Sequence, residues 1–112
     1  MYQNGTDLVL GLNCLDGPLR SRMYKIDYNG VVIGRDGSCG ICFGENAPGV
    51  SRQHCSLYWV DGALMLTDLN SAYGTYMGDG SRLPPQYPVR LSAGSRFYVG
   101  DQRNLFQVII MK

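Results

Sequence analysis

Three short stretches of the sequence concentrate residues able to hold an anion: Gly34-Arg35, Ser51-Arg52-Gln53-His54, and Asp68-Leu69-Asn70-Ser71-Ala72-Tyr73-Gly74-Thr75. An arginine guanidinium offers a rigid fork of N–H donors, a serine hydroxyl adds another donor, and glycine-rich turns leave backbone N–H groups free. Such a set suits a phosphate monoester, which carries close to two negative charges and presents strong acceptor oxygens. The same residues raise an enzymatic alternative, a Ser51/His54/Asp68 hydrolase. Residues three apart at a strand entrance point to opposite faces, however, and Gly49-Val50-Ser51-Arg52-Gln53 lacks the second glycine of a nucleophile elbow. Catalysis is therefore not expected.

Two further patterns resolve the same way. Cys39-Gly40-Ile41-Cys42 has the spacing of half a zinc site, but neither Cys14, Cys55 nor His54 forms a matching second pair, so no metal is expected. Gly78-Asp79-Gly80-Ser81-Arg82-Leu83 lacks the last glycine of a dinucleotide fingerprint and opens no helix, so it reads as a turn and no cofactor is expected. Tyr24, Tyr58, Tyr76 and Tyr98 sit at strand spacing and read as sheet packing rather than a stacking platform.

The elements that must position these residues belong to a chain of 112 residues, 45% hydrophobic, with a net charge of +1, which fits one globular domain over residues 1–112. Near-neutral charge argues against a nucleic-acid or membrane-surface binder, which would need a basic stripe to displace counterions. Charge is placed locally instead, and the basic residues are all arginine apart from Lys25 and Lys112. Four cysteines fall well below the density of a disulfide-stapled secreted scaffold. With no signal-like N-terminus and no apolar run near the roughly 18 residues needed to span a bilayer, a cytoplasmic, non-membrane location is expected for this segment.

Every apolar run is short and ends at a turn signal, and the 15 glycines, about twice average usage, fit a loop-rich all-β fold. Alternation at Tyr24, Ile26 and Tyr28, followed by Asn29-Gly30 and Val31-Val32-Ile33, predicts a hairpin. A second is predicted where Cys55–Val60 meets Asp61-Gly62 and returns as Ala63–Asp68. Further strands are expected at Leu8–Leu12, Thr75–Met77, Val89–Leu91, Arg96–Val99 and Leu105–Met111, while Pro84, Pro85 and Pro88 mark a connection. Short strands at regular spacing indicate a sandwich or barrel. Gly34 to Ser51 is a long polar loop between two strands, a setting that usually carries function.

The ordered set Gly34-Arg35, Ser51-Arg52-Gln53-His54, Asp68 to Thr75 and Leu91-Ser92-Ala93-Gly94-Ser95-Arg96-Phe97-Tyr98-Val99-Gly100 resembles the forkhead-associated (FHA) domain over about residues 31–110. The resemblance implies a β-sandwich of about eleven mostly antiparallel strands with binding loops at one end. It also implies a non-catalytic reader of threonine-phosphorylated proteins downstream of a Ser/Thr kinase, acting as a monomer. By the same resemblance Arg35 and Ser51 contact the phosphate, Arg52 lies beside it and backbone at Ala72 completes the cradle, while Gly34, His54, Gly74 and Thr75 support the site. Tyr73 stands where the family's motif has an asparagine that holds the peptide backbone. A phenol supplies one O–H and a flat ring in place of an amide's paired donor and acceptor. That exchange keeps a second reading open, a phosphate-independent interaction or scaffolding module. Residues 1–7 are expected to be a flexible terminus.

Overall fold

The computed structural model describes residues 9–111, so the expectations for residues 1–7 and for Leu8 lie outside the described residues. Ten strands follow one another in the described chain: β1 (Val9–Cys14), β2 (Met23–Lys25), β3 (Val31–Gly34), β4 (Ile41–Cys42), β5 (Cys55–Val60), β6 (Ala63–Asp68), β7 (Thr75–Met77), β8 (Val89–Leu91), β9 (Arg96–Val99) and β10 (Leu105–Met111). They form two five-stranded sheets, ordered β2-β1-β10-β9-β7 and β4-β3-β5-β6-β8. All pairings are antiparallel except β3 with β4. No helix of the described residues is long and apolar enough to cross a membrane.

Period-two patterning explains which side chains meet between the sheets. Leu64, Leu66 and Asp68 of β6 are buried while Ala63, Met65 and Thr67 are half-buried. From the first sheet Leu12, Phe97, Val99, Phe106 and Val108 face inward, and from the second Ile33, Ile41, Cys55, Leu57, Leu64, Leu66 and Leu91. Phe97 and Phe106 stack with ring centroids 5.2 Å apart. Phe43, from the long loop, meets Phe106 edge-on at 6.1 Å and so ties that loop to the core.

The Asp61-Gly62 hairpin forms as expected, with φ of 50° and 79° at its two turn residues, the pair of positive values a type I′ turn requires. The Asn29-Gly30 hairpin does not form. Strand β2 pairs with β1 in one sheet while β3 pairs with β4 and β5 in the other, so the intervening residues cross between layers. Only Gly30 has positive φ there, its N–H donates to the Asp27 carbonyl at 3.0 Å, and Ile26 turns into the core. Burial of Ile26 outweighs the local preference of Asn-Gly for a two-residue reversal.

Truncation of Phe106, which touches both another strand and the long loop, is expected to cost about 3–5 kcal/mol. Urea unfolding of Phe106→Ala beside the wild type measures it, and a loss of unfolding free energy below about 1 kcal/mol would show that this ring is not the centre of the core.

Candidate functional site

Three loops meet at one end of the sandwich: 35–40 and 43–54, which flank β4, and 69–74, which joins β6 to β7. His54 sits at their junction, fully buried. Its Nδ1 accepts from the Ser51 backbone N–H at 3.1 Å, and its Nε2–H donates to the Gly74 carbonyl at 2.8 Å. The two bonds fix the Nε2–H tautomer and fasten one loop to the other. Burial pushes the imidazole pKa below its usual value, only partly opposed by the Gly74 carbonyl and by Asp68. Both ring nitrogens face backbone, so the ring is not placed to deprotonate the Ser51 hydroxyl.

Asp68 organises the other side. Its buried carboxylate accepts from the Ser71 hydroxyl at 2.5 Å, the Ser71 N–H at 3.0 Å and the Thr75 hydroxyl at 2.7 Å. Ser71 Oγ in turn accepts the Gly74 N–H at 3.0 Å. The 69–74 loop is thus closed on itself by side chains that saturate its buried polar groups. Neither Asp68 nor Ser71 stands out as a support residue in the sequence, because a carboxylate followed three residues on by serine is equally the mark of an ordinary surface turn.

Arg35 is held rather than free. Its backbone N–H donates to the Ser51 carbonyl at 3.1 Å, its Nε–H to the Val50 carbonyl at 2.6 Å, and Nη1 lies 3.7 Å from Glu45 Oε1. The remaining guanidinium N–H groups line a recess of about 470 Å³ together with Glu45, Pro48, Val50 and Tyr73. Ser51 Oγ accepts the Ala72 N–H at 3.1 Å, leaving its own proton to donate. Arg52 projects into solvent, 3.9 Å from Asp36, and lies beside the other groups rather than among them. Tyr73 is 64% exposed and forms a wall of the recess without filling it.

Two glycines permit this approach of loops. A Cβ at Gly34 would lie 2.1 Å from the Arg52 carbonyl oxygen, so only glycine lets the 35–40 segment run against the 51–54 segment. Gly74 adopts φ of 89° and has its carbonyl on both His54 and the Gly100 N–H, the latter at 2.9 Å. The Cys39 thiol donates to the Arg52 carbonyl at 3.2 Å and the Cys42 thiol to the Arg35 carbonyl at 3.5 Å, so both cysteines brace the backbone of site residues. Among the described residues no group of three metal-ligating side chains converges.

All sequence-predicted residues therefore lie on these loops or directly beneath them. The arrangement brings Arg35, Ser51, Ala72 and Tyr73 to one rim, holds Arg52 at its edge, and buries Gly34, His54, Gly74 and Thr75 behind it. A rigid cation, a free hydroxyl proton and a backbone amide on one rim can bind an oxyanion.

His54 is the sole histidine, which makes its titration readable. Its folded-state pKa lies below the unfolded value near 6.5, so the unfolded chain takes up the proton first and stability falls as pH drops below about 6.5. Unfolding free energies between pH 8 and pH 5 are expected to show that slope in the wild type and to lose it in His54→Gln. An identical slope in both would assign it to other groups.

Comparison with known proteins agrees with this geometry. The family model of the FHA domain matches residues 31–100. The chain is 36% identical over 77 residues to the chloroplastic zeaxanthin epoxidase of Prunus armeniaca, a match covering 65% of this chain but 12% of that protein's length. A structure from work on phosphothreonine-dependent FHA domain interactions superposes with a TM-score of 0.73 at 26% identity, covering 93% of this chain and 98% of that one. The N-terminal FHA domain of S. cerevisiae Rad53p, solved with a phosphothreonine peptide, shares the fold at 23% identity, TM-score 0.74, with 92% and 94% of the two chains covered. With the family model spanning more than half of its residues, and a sandwich whose loops converge on Arg35, Ser51 and His54, the chain belongs to the FHA domain family.

Proposed function

We propose that residues 31–110 act as a phosphothreonine-dependent protein-binding module, without catalysis of its own, that couples Ser/Thr kinase activity to assembly with a phosphorylated partner. The observation that carries this reading is the joint placement of Arg35, Ser51 Oγ and the Ala72 N–H on one rim, backed by the buried His54 strut. A phosphate entering between Ser51 and Ala72 replaces their mutual 3.1 Å bond with one charge-assisted bond from each, and Arg35 adds a third. The similar structure at 26% identity, associated with phosphothreonine-dependent interactions, supports the same assignment.

Glu45 adds a feature of this chain. Its carboxylate stands 3.7 Å from Arg35 Nη1 and must yield when a phosphate arrives, so it competes with the ligand for the guanidinium. Tyr73 leaves the recess open beside Arg35, which favours the phosphate-dependent reading over a scaffold with an occluded site.

Titration of phosphothreonine, phosphoserine and unphosphorylated forms of one peptide series tests the proposal. Binding is expected for the phosphothreonine form, more weakly for phosphoserine and not for the unphosphorylated peptide, and Arg35→Ala or Ser51→Ala is expected to weaken it by roughly 10- to 100-fold, the equivalent of one charge-assisted hydrogen bond of about 1.5–3 kcal/mol. Glu45→Gln is expected to tighten it a few-fold. Affinity should decline as pH falls through about 6, where the phosphate takes up its second proton. Binding indifferent to phosphate and to Arg35 would instead establish an interaction module that uses another surface.

A further inference from the structure

The outer face of the first sheet carries a cross-strand row that sequence spacing alone does not reveal. Arg82, on the return of the turn after β7, bridges Tyr76; Tyr76 pairs with Tyr98 of β9, and Tyr98 with Leu105 of β10. The tyrosine rings stack 4.9 Å apart with 14° between their planes. The Arg82 guanidinium carbon lies 5.9 Å from the Tyr76 ring centre, within cation–π range. Arg96 stands one row along on the same face, exposed, its backbone paired with Gln107.

These cations are free to act. The ion pairs among the described residues are Arg35–Glu45, Arg52–Asp36 and Arg103–Asp101, and neither Arg82 nor Arg96 takes part. Asp79, the acid nearest to Arg82 in sequence, is occupied by the Ser81 N–H at 2.9 Å and the Ser81 hydroxyl at 2.7 Å. The row also runs directly into the candidate site. The Tyr76 hydroxyl donates to the Tyr73 carbonyl at 2.8 Å, and a Cβ on Gly74 would lie 2.7 Å from Arg82 Nε, so the guanidinium rests against the 69–74 loop.

We propose that Arg82, Tyr76, Tyr98 and Arg96 form a docking track for an acidic segment of the phosphorylated partner, the residues beside its phosphothreonine running past Gly74 onto this face. The inference rests on the phosphothreonine reading for its anchoring end. Two unpaired, exposed arginines beside half-buried tyrosine rings complement aspartate or glutamate on an extended peptide, and continuity with the 69–74 loop places them within reach of a flank. Single-stranded nucleic acid also stacks on aromatic and arginine surfaces, but the chain has a net charge of +1, and the third free cation on this face among the described residues, Lys25, stands on β2, three strands from β9, so the face lacks the continuous row of phosphate-neutralising groups such binding needs.

Fluorescence anisotropy at low salt tests the track with phosphothreonine peptides bearing Asp on the N-terminal flank, on the C-terminal flank, or on neither, and with unphosphorylated copies of each. One acidic-flank phosphopeptide is expected to bind the wild type about fivefold more tightly than the neutral one, as two exposed charge pairs allow. In Arg82→Gln/Arg96→Gln that advantage is expected to vanish while affinity for the neutral phosphopeptide stays unchanged. Equal binding of acidic and neutral peptides, or an advantage that survives the double variant, overturns the track. If binding ignores phosphate yet still prefers an acidic flank through Arg82 and Arg96, the phosphothreonine reading fails and the track stands. A twelve-nucleotide single strand that binds more tightly than any peptide, and loses affinity in the double variant, would overturn it in favour of nucleic acid. Thermal denaturation of the double variant at the wild-type temperature excludes misfolding as the cause of any loss.

Discussion

The His54 ring is the constraint on which the site depends, because it joins two loops beyond the point where the β5–β6 ladder ends, at the bond from the Leu69 N–H to the His54 carbonyl. Ser51 and Gly74 are far apart in sequence and belong to different connections, yet each is bonded to one nitrogen of the same imidazole. The ring can do this only while neutral, with one nitrogen accepting and the other donating. Burial enforces that state by disfavouring the imidazolium. A flexible or doubly donating side chain at this position would leave either the Ser51 amide or the Gly74 carbonyl without its partner.

Around that strut, charge and backbone are held in fixed positions. Arg35 is already oriented by the Val50 carbonyl, and its own carbonyl is met by the Cys42 thiol. The Asp68 carboxylate fixes Ser71 and Thr75, which fixes the path of the chain through Ala72 and Tyr73. Pre-organisation of this kind lowers the ordering cost of binding, and the exposed pairs Arg35–Glu45 and Arg52–Asp36 modulate rather than build it.

Much of this was legible in the sequence, and the failures have physical causes. Strands such as Thr75–Met77, Arg96–Val99 and Leu105–Met111 declare themselves by short apolar runs between turn residues. Strand β4 does not, since two residues carry no periodicity and Ile41 becomes a strand only by lying parallel to Ile33. The Asn29-Gly30 pair misleads because its strands belong to different layers, so the chain crosses between sheets there with positive φ at Gly30 alone instead of making the two-residue reversal. Arg35, Ser51 and His54 were readable as a set from their order, whereas the role of Asp68 appears only when its carboxylate is found buried under three donors. Tyr76 and Tyr98, which read as sheet packing, do pack across strands, half-buried on the outer face, where Arg82 also lies over the Tyr76 ring.

The pairing of β1 with β10 also determines how this module can be built into a longer polypeptide. Val9 lies opposite Met111, so chain entry and chain exit are neighbours. The other end of β10 begins at Leu105, next to the turn in which Gly100 bonds to the Gly74 carbonyl beside the site. Seven strand residues at about 3.3 Å each put about 20 Å between the two ends of the chain path and the loops around His54. A sandwich entered and left at one edge in this way suits insertion into a longer chain on a short double tether, with the three loops around His54 at the end far from the tether.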